Sequence, residues 1–116
     1  MREVLFLIGK NDSVLWADAS NSSVALPDTR ERWEMIWALR DELVEIAHTH
    51  PIGPLAFSHE DETTMSALAS ALAKPLRFSV VAPDGMVLRQ DGNDVRVEKE
   101  PWWTAILRNL SGMTGR

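Results

Sequence analysis

The sequence predicts a single α/β domain, residues 1–116, in which a mixed β-sheet is flanked by about three helices. Short apolar runs closed by turn residues recur along the chain, which is typical of buried strands. Between them lie longer segments with apolar residues at helical spacing and capping residues at their starts. A chain of 116 residues is long enough to bury the core of one such domain.

Short apolar runs mark the predicted strands. In chain order these strands are 3–8 (EVLFLI), 13–18 (SVLWAD), 24–26, 43–49 (LVEIAHT), 76–82, 86–90 and 94–98. A Pro-Asp-Gly turn at 83–85 predicts a hairpin between two of them. The segment 51–54 contains two prolines and a glycine, so neither a strand nor a helix continues through it.

Three segments have the spacing of amphipathic helices. The first is expected at about 29–41, with Asp28 or Thr29 as its N-cap. The second begins after Ser58, its predicted N-cap, and stops before Lys74-Pro75. The third begins at Pro101, a favourable first helical residue.

Tryptophan is frequent, with five in the chain, and we expect most of these rings in the core rather than on a binding surface. The residues predicted at helical spacing are Trp33, Ile36, Trp37 and Arg40 in the first helix, and Trp102, Ile106, Leu107 and Leu110 in the third. Trp103 lies off the stripe of the third helix. We expect that stripe to cover the sheet face behind the first strand.

Composition and charge favour a soluble globular protein and argue against some classes of partner. Hydrophobic residues make up 45% and charged residues 25%, as in soluble globular proteins. The net charge of −5 argues against a nucleic-acid partner. The apolar run at 4–8 is too short for a secretory signal or a membrane span, so we expect no membrane partner. The chain has no cysteine, which suits a reducing compartment, and we expect a cytoplasmic protein.

Two histidines close to the end of a predicted strand indicate a metal site. Residues i and i+2 of a strand point to the same face, so His48 and His50 present two imidazoles side by side. The following loop turns sharply, and Asp61 in the first turn of the next helix is close enough to be a third ligand. Two nitrogens and an oxygen suit Zn²⁺, and three protein ligands leave a fourth position for water, as in catalytic zinc sites.

Each part of this pattern has a simpler interpretation on its own. An H-x-H pair can be satisfied by hydrogen bonds, and Ser58 with Asp61 can be only a capping box. Their combination within residues 48–61 favours the metal site. His59 is a candidate fourth ligand, but helix geometry turns it about 100° from its neighbour, so a solvated or indirect role is favoured.

The segment His48-Thr49-His50-Pro51 followed by Ser58-x-x-Asp61 resembles the signature of the JAMM (JAB/MPN+) zinc metalloproteases, in particular the short prokaryotic members. The predicted layout from residue 3 to about 90 is also similar to that fold. The resemblance implies that His48, His50 and Asp61 bind zinc. It also implies that Ser58 helps to stabilise the oxyanion.

The same resemblance assigns a general base to Glu3. Family members place a glutamate before an early apolar strand that ends in glycine, and Glu3 with the run up to Gly9 matches this pattern. Members usually have a helix before that strand, and we expect this domain to lack it. Competing glutamates are Glu31, Glu34, Glu42 and Glu45, of which Glu45 lies on the wrong strand face and the other three in or beside the first helix.

Two functions follow as expectations. In the first, the protein is a zinc-dependent peptidase or isopeptidase, and its substrate is the C-terminal tail of a ubiquitin-like or sulfur-carrier protein. In the second, the same fold is a non-catalytic protein-binding module that still binds metal. The oligomeric state is left open by the sequence.

Overall fold

The computed structural model describes residues 1–22 and 29–113. In this part of the chain one mixed β-sheet carries α-helices on both faces, which confirms the predicted α/β fold. The strands are β1 (Val4–Ile8), β2 (Val14–Ala19), β3 (Glu45–Thr49), β4 (Arg77–Ala82), β5 (Gly85–Gln90) and β6 (Asn93–Arg96). The helices are α1 (Arg30–Ala38), α2 (His59–Leu72) and α3 (Trp103–Ser111). The strand expected at 24–26 and the candidate cap Asp28 lie outside the described residues.

The strand order of the sheet is β2-β1-β3-β4-β5-β6. Strands β3 and β4 run parallel, and the other neighbouring pairs are antiparallel. A parallel pair needs a crossover connection, which here contains α2. The strand that carries the histidines is therefore central, and His48 lies opposite Leu5 of β1 and Val80 of β4.

Two apolar clusters fill the space between the sheet and its helices. The cluster under α1 and α2 consists of Leu5, Leu7, Ile36, Leu43, Ile46, Met65, Leu68 and Phe78. The cluster under α3 consists of Val4, Phe6, Ile8, Ala47, Val81, Met86, Trp103 and Leu107. Alternation along β1 sends Leu5 and Leu7 to the first cluster and its other residues to the second. Both faces of β1 are therefore covered.

Helix α3 covers the expected sheet face and buries Leu107 as predicted, but the rest of its predicted buried side is wrong. Trp103 is 0% exposed and packs edge-on against Phe6 with ring centroids 6.4 Å apart, whereas Trp102 is 58% exposed. Ile106 and Leu110 are exposed as well. The stripe that faces the sheet includes polar residues, so a pattern of apolar residues alone selects the opposite side.

The polar residues on the buried side of α3 have partners inside the protein. Arg108 makes paired hydrogen bonds with the carboxylate of Glu100 at 2.6 and 2.9 Å. It also donates to the carbonyl oxygens of Ala82 and Gly85, each at 3.1 Å. Burial of this side chain therefore leaves its donors hydrogen-bonded, as a buried charge requires.

Helix α1 begins as predicted and buries Ile36 as expected, but part of its buried side differs from the prediction. Thr29 is its N-cap, and its hydroxyl accepts from the Arg32 N–H at 3.1 Å. Trp33 packs against the core, as expected. Trp37 does not, because it is 54% exposed and lies under the guanidinium of Arg40, 4.1 Å from the ring centroid. The helix buries Arg32 instead, which pairs with Asp18 at 2.8 Å.

No helix in the described ranges is long and apolar enough to cross a membrane.

Candidate metal centre

Strand β3 and the residue after it place two imidazoles side by side, as predicted. The Nε2 atoms of His48 and His50 are 3.1 Å apart. The N–H of His50 donates to the carbonyl of Val81 at 2.9 Å, which continues the pairing with β4 beyond Thr49. Glu45 points to the other face, where its carboxylate accepts from Ser79 Oγ at 2.7 Å. Glu45 is therefore excluded as a group that faces the histidines, as the alternation predicted.

The first turn of α2 brings Asp61 to the two histidines. Ser58 and Asp61 form a reciprocal capping box: Ser58 Oγ accepts from the Asp61 N–H at 3.1 Å, and Asp61 Oδ2 accepts from the Ser58 N–H at 2.8 Å. The same Oδ2 atom lies 3.1 Å from His48 Nε2 and 3.2 Å from His50 Nε2. The capping box and the candidate ligand set therefore coincide in one side chain.

His48, His50 and Asp61 can hold a metal ion. Their three donor atoms form a nearly equilateral triangle with sides of 3.1, 3.1 and 3.2 Å. Ligand atoms about 2.0–2.1 Å from a tetrahedral metal lie about 3.3 Å from one another, so the triangle has the dimensions of such a site. Two imidazole nitrogens and a carboxylate oxygen are also a donor set used by transition metals.

The loop after β3 orients one of the two imidazoles. Nδ1 of His50 lies 3.0 Å from the carbonyl oxygen of Pro54, so it carries the hydrogen and donates it. In the neutral ring, that assignment leaves the lone pair on Nε2 of His50, on the side of the other two donors, whereas the hydrogen bond from Nε2 to Asp61 belongs to the protonated ring. Histidine ligands are commonly fixed in this way by a hydrogen bond from the second ring nitrogen.

Burial and hydrogen bonding shift the pKa values of Asp61 and His50 in opposite directions. Burial alone would raise the pKa of Asp61, but hydrogen bonds from His48, His50 and the Ser58 N–H lower it well below its usual range. Burial lowers the pKa of His50, yet its hydrogen bonds to Asp61 and to the Pro54 carbonyl outweigh burial and raise it. The carboxylate is therefore held in the anionic form that binds cations.

Glu3 lies buried at the start of β1, only 6% exposed, close enough to interact electrostatically with His48, His50 and Asp61. Burial raises the pKa of Glu3, and the two histidines lower it to a smaller extent. The competing glutamates of the first helix region, Glu31, Glu34 and Glu42, are exposed. Glu3 is the glutamate of this group that the fold brings to the metal centre.

The backbone before Glu3 is held by the end of α3. The N–H of Arg2 donates to the carbonyl of Ser111 at 2.9 Å, and Ser111 Oγ donates to the carbonyl of Arg2 at 2.6 Å. The guanidinium of Arg2 donates to the Leu110 carbonyl at 3.0 Å. This attachment was not predicted, because nothing in the local sequence around Ser111 indicates a partner at the opposite end of the chain.

A second group that sequence reasoning missed lies at the rim of the centre. The ring of Phe57 is 6.2 Å from that of His48, and the guanidinium of Arg89 lies 4.7 Å over Phe57. Arg89 also pairs with Asp94 and with Glu62, the residue next to Asp61. These contacts join β5, β6 and the start of α2. Local patterns could not reveal them, since an arginine on a strand has many possible partners.

His59 is exposed, which agrees with the favoured solvated role, and the group that could hold a metal among the described residues is His48, His50 and Asp61. A comparison with models of known protein families and with curated proteins gives no match. The resemblance noted above therefore rests on the motif residues themselves.

Proposed function

We propose that this protein is a zinc-dependent peptidase or isopeptidase. The observation that carries the proposal is the convergence of three donor atoms at 3.1–3.2 Å from one another, together with a buried glutamate that interacts electrostatically with them. A zinc-dependent hydrolase combines two parts, a metal that activates water and a group that moves protons. The donor triangle alone would support only metal binding.

Zinc is the proposed metal because its catalytic sites combine imidazole and carboxylate ligands and keep one position open. His48, His50 and Asp61 would hold it. When bound, zinc supplies a Lewis acid that lowers the pKa of a bound water to about 7. The anionic state of Asp61 and the tautomer of His50 described above are both those that zinc binding requires.

Glu3 is the proposed general base. Burial raises the pKa of its carboxyl, which brings proton uptake closer to neutral pH than for an exposed glutamate. The carboxylate takes a proton from the attacking water and delivers it to the nitrogen of the leaving amine. The electrostatic interaction of Glu3 with both histidines supports this role, because such an interaction requires the carboxyl to lie near the two imidazoles.

Ser58 is the proposed oxyanion donor. Its Oγ accepts the Asp61 N–H at 3.1 Å, and this bond leaves the hydroxyl hydrogen available for donation. A fixed donor beside the metal ligands is suited to stabilise the negative oxygen that develops on the scissile carbonyl. The capping box holds Ser58 in place, so no reorganisation is needed when that charge develops.

The proposed substrate is the extended C-terminal tail of a ubiquitin-like or sulfur-carrier protein, cut in the cytoplasm. Support for this substrate class comes from the H-T-H-P…S-x-x-D motif and its resemblance to the JAMM family. The absence of cysteine agrees with a reducing compartment. The competing function, a non-catalytic binding module on the same fold, predicts metal binding without turnover.

The change Glu3→Gln tests the proposal. It removes the ionisable group but keeps the size of the side chain, so zinc content should stay at one equivalent. Turnover of a ubiquitin-like protein fused through its Gly-Gly tail should fall roughly 10²–10⁴-fold, the usual range for a general base. Zinc is measured by elemental analysis and turnover by the release of the cleaved tail partner.

Glu42→Gln is the matched control, because Glu42 is exposed and lies away from the centre. It should leave turnover unchanged. Loss of zinc in Glu3→Gln would make Glu3 a ligand or a support. A zinc-loaded wild-type protein that cuts none of a panel of such fusions would favour the binding module instead.

A further inference from the structure

The residue between the two histidines makes a buried contact that the metal centre does not use. Thr49 is 0% exposed and points away from the histidines, toward the sheet face covered by α3. Its Oγ1 accepts a hydrogen bond from the N–H of Val4 at 2.8 Å. Val4 follows Glu3 directly, so this bond attaches the peptide group after Glu3 to the end of β3, between His48 and His50.

The bond lies where the two strands stop pairing through their backbones. The antiparallel register of β1 and β3 ends at Leu5 opposite His48, and Val4 with Thr49 would be the next pair. The Val4 N–H is bound by the threonine hydroxyl instead of a backbone carbonyl. The side chain of Thr49 therefore determines how far β1 lies from β3 at this point.

Hydrogen bonds fix the backbone on both sides of the Glu3 Cα. The Glu3 N–H donates to Ser22 at 2.7 Å, and the Glu3 carbonyl accepts from the Ser20 N–H at 2.9 Å. Both of these partners belong to the chain that follows β2. The bond from Val4 to Thr49 connects the same peptide to the metal-binding strand. Thr49 thus links the position of Glu3 to that of His48 and His50.

We propose that Thr49 is a positioning residue, whose hydroxyl sets the distance between the Glu3 carboxyl and the donor atoms of His48, His50 and Asp61. This inference rests on the proposed function, since it assigns Glu3 the role of base. A valine at this position would fill the same space but could not accept the Val4 N–H. The strand start would then move to find another acceptor, and a displacement of about 1 Å is enough to lower turnover about 10²-fold.

The test compares Thr49→Val, which removes the hydroxyl, with Thr49→Ser, which keeps it. Crystal structures of the two variants and the wild type give the distance from the Glu3 carboxyl to His48 Nε2, a readout that needs neither metal nor activity. We expect this distance to change in Thr49→Val and to be preserved in Thr49→Ser. An unchanged distance in Thr49→Val would overturn the proposal.

Kinetics with the tail-fusion substrate provide the second readout. Thr49→Val should lower kcat about 10- to 100-fold with KM and zinc content unchanged, and Thr49→Ser should restore most of it. In a Glu3→Gln background, Thr49→Val should add no further loss, because the threonine acts through Glu3. A full additional loss there would show a general structural effect and contradict positioning.

The two proposals fail in different ways. A wild-type protein without turnover refutes the hydrolase, while a shifted Glu3 in Thr49→Val still supports the positioning role. Turnover that depends on Glu3 but is indifferent to Thr49→Val leaves the hydrolase intact and refutes positioning.

Discussion

A short piece of chain positions the metal ligands, whereas distant residues position Glu3. His48, His50 and Asp61 lie on a strand end, a loop and a helix start that follow one another directly. The backbone around Glu3 is held by hydrogen bonds that span 45 and 109 positions of the sequence. The proposed metal binding and the proposed proton transfer therefore depend on different parts of the fold, so mutations should separate them.

The largest expected effect is the loss of zinc binding, which depends on the local segment from His48 to Asp61. The double change His48→Ala/His50→Ala removes two of three donors, so stoichiometric zinc binding should be abolished. His59→Ala is the matched control, since this exposed histidine is no member of the donor group. Elemental analysis after dialysis measures the metal. One retained equivalent in the double variant would place the site elsewhere.

The next largest effect concerns the free energy of unfolding that α3, an element far along the chain, contributes by packing against β1. Trp103→Ala should reduce the free energy of unfolding by about 3–5 kcal/mol, because it removes a fully buried ring from the contact with Phe6. Trp102→Ala, its exposed neighbour, should cost less than about 1.5 kcal/mol, the contribution of its hydrogen bond to the Asp12 carbonyl. Denaturant unfolding of both variants measures the difference. Equal losses would contradict the orientation of α3.

A smaller effect is expected from the hydrogen bonds between Arg2 and Ser111, which join the two ends of the described chain. Ser111→Ala removes the hydroxyl that donates to the Arg2 carbonyl and should cost about 1 kcal/mol. Because Arg2 precedes Glu3, turnover should fall while zinc content stays at one equivalent. Ser66→Ala, an exposed serine of α2, is the control. If zinc content fell and turnover per bound zinc did not, the separation of the two regions would be refuted.

The smallest effect is a pH dependence at the rim. Hydrogen bonds from Arg89 lower the pKa of Glu62 and of Asp94 below their ordinary values of 4.5 and 3.8. A lowered pKa in the folded state stabilises above the ordinary pKa, and this contribution is lost as the pH falls through the folded value. The free energy of unfolding should therefore fall less between neutral and acid pH in Arg89→Met than in the wild type.

The measurement is the unfolding free energy of wild type and variant, at neutral pH and below the ordinary pKa of both carboxyls. Arg30→Met serves as the control, since Arg30 pairs with Glu34 on the open surface of α1. An acid dependence that is the same in Arg89→Met and wild type would show that the pairs do not contribute.

The ligand set could be predicted from the sequence because its geometry is local. Strand alternation relates His48 to His50, and a capping pattern places Asp61 in the first turn of the helix after the loop. The buried side of α3 could not be predicted in the same way. Residues 102, 106 and 110 and residues 103, 107 and 111 both recur at helical spacing, and the buried series ends in a serine.

The support of Glu3 is unpredictable for a different reason. Ser20 and Ser22 bind Glu3 through backbone atoms, and Thr49 and Ser111 bind its neighbours through hydroxyls. All four meet this segment only because strands and helices come together in three dimensions. Only the resemblance of the apolar run after Glu3 to a family pattern indicated the role. The placement of the carboxyl beside the histidines comes from the fold.

One oxygen atom in the centre has two partners of different kinds. Asp61 Oδ2 accepts the Ser58 N–H that begins α2, and it is also a donor atom of the metal-binding triangle. Occupancy of the triangle and order in the first turn of α2 are therefore thermodynamically linked. Free metal at 100 times its dissociation constant would add about 2.7 kcal/mol to the stability of the folded chain. In the proposed metal-loaded protein, stability would therefore follow the supply of metal, and a chelator would lower the free energy of unfolding.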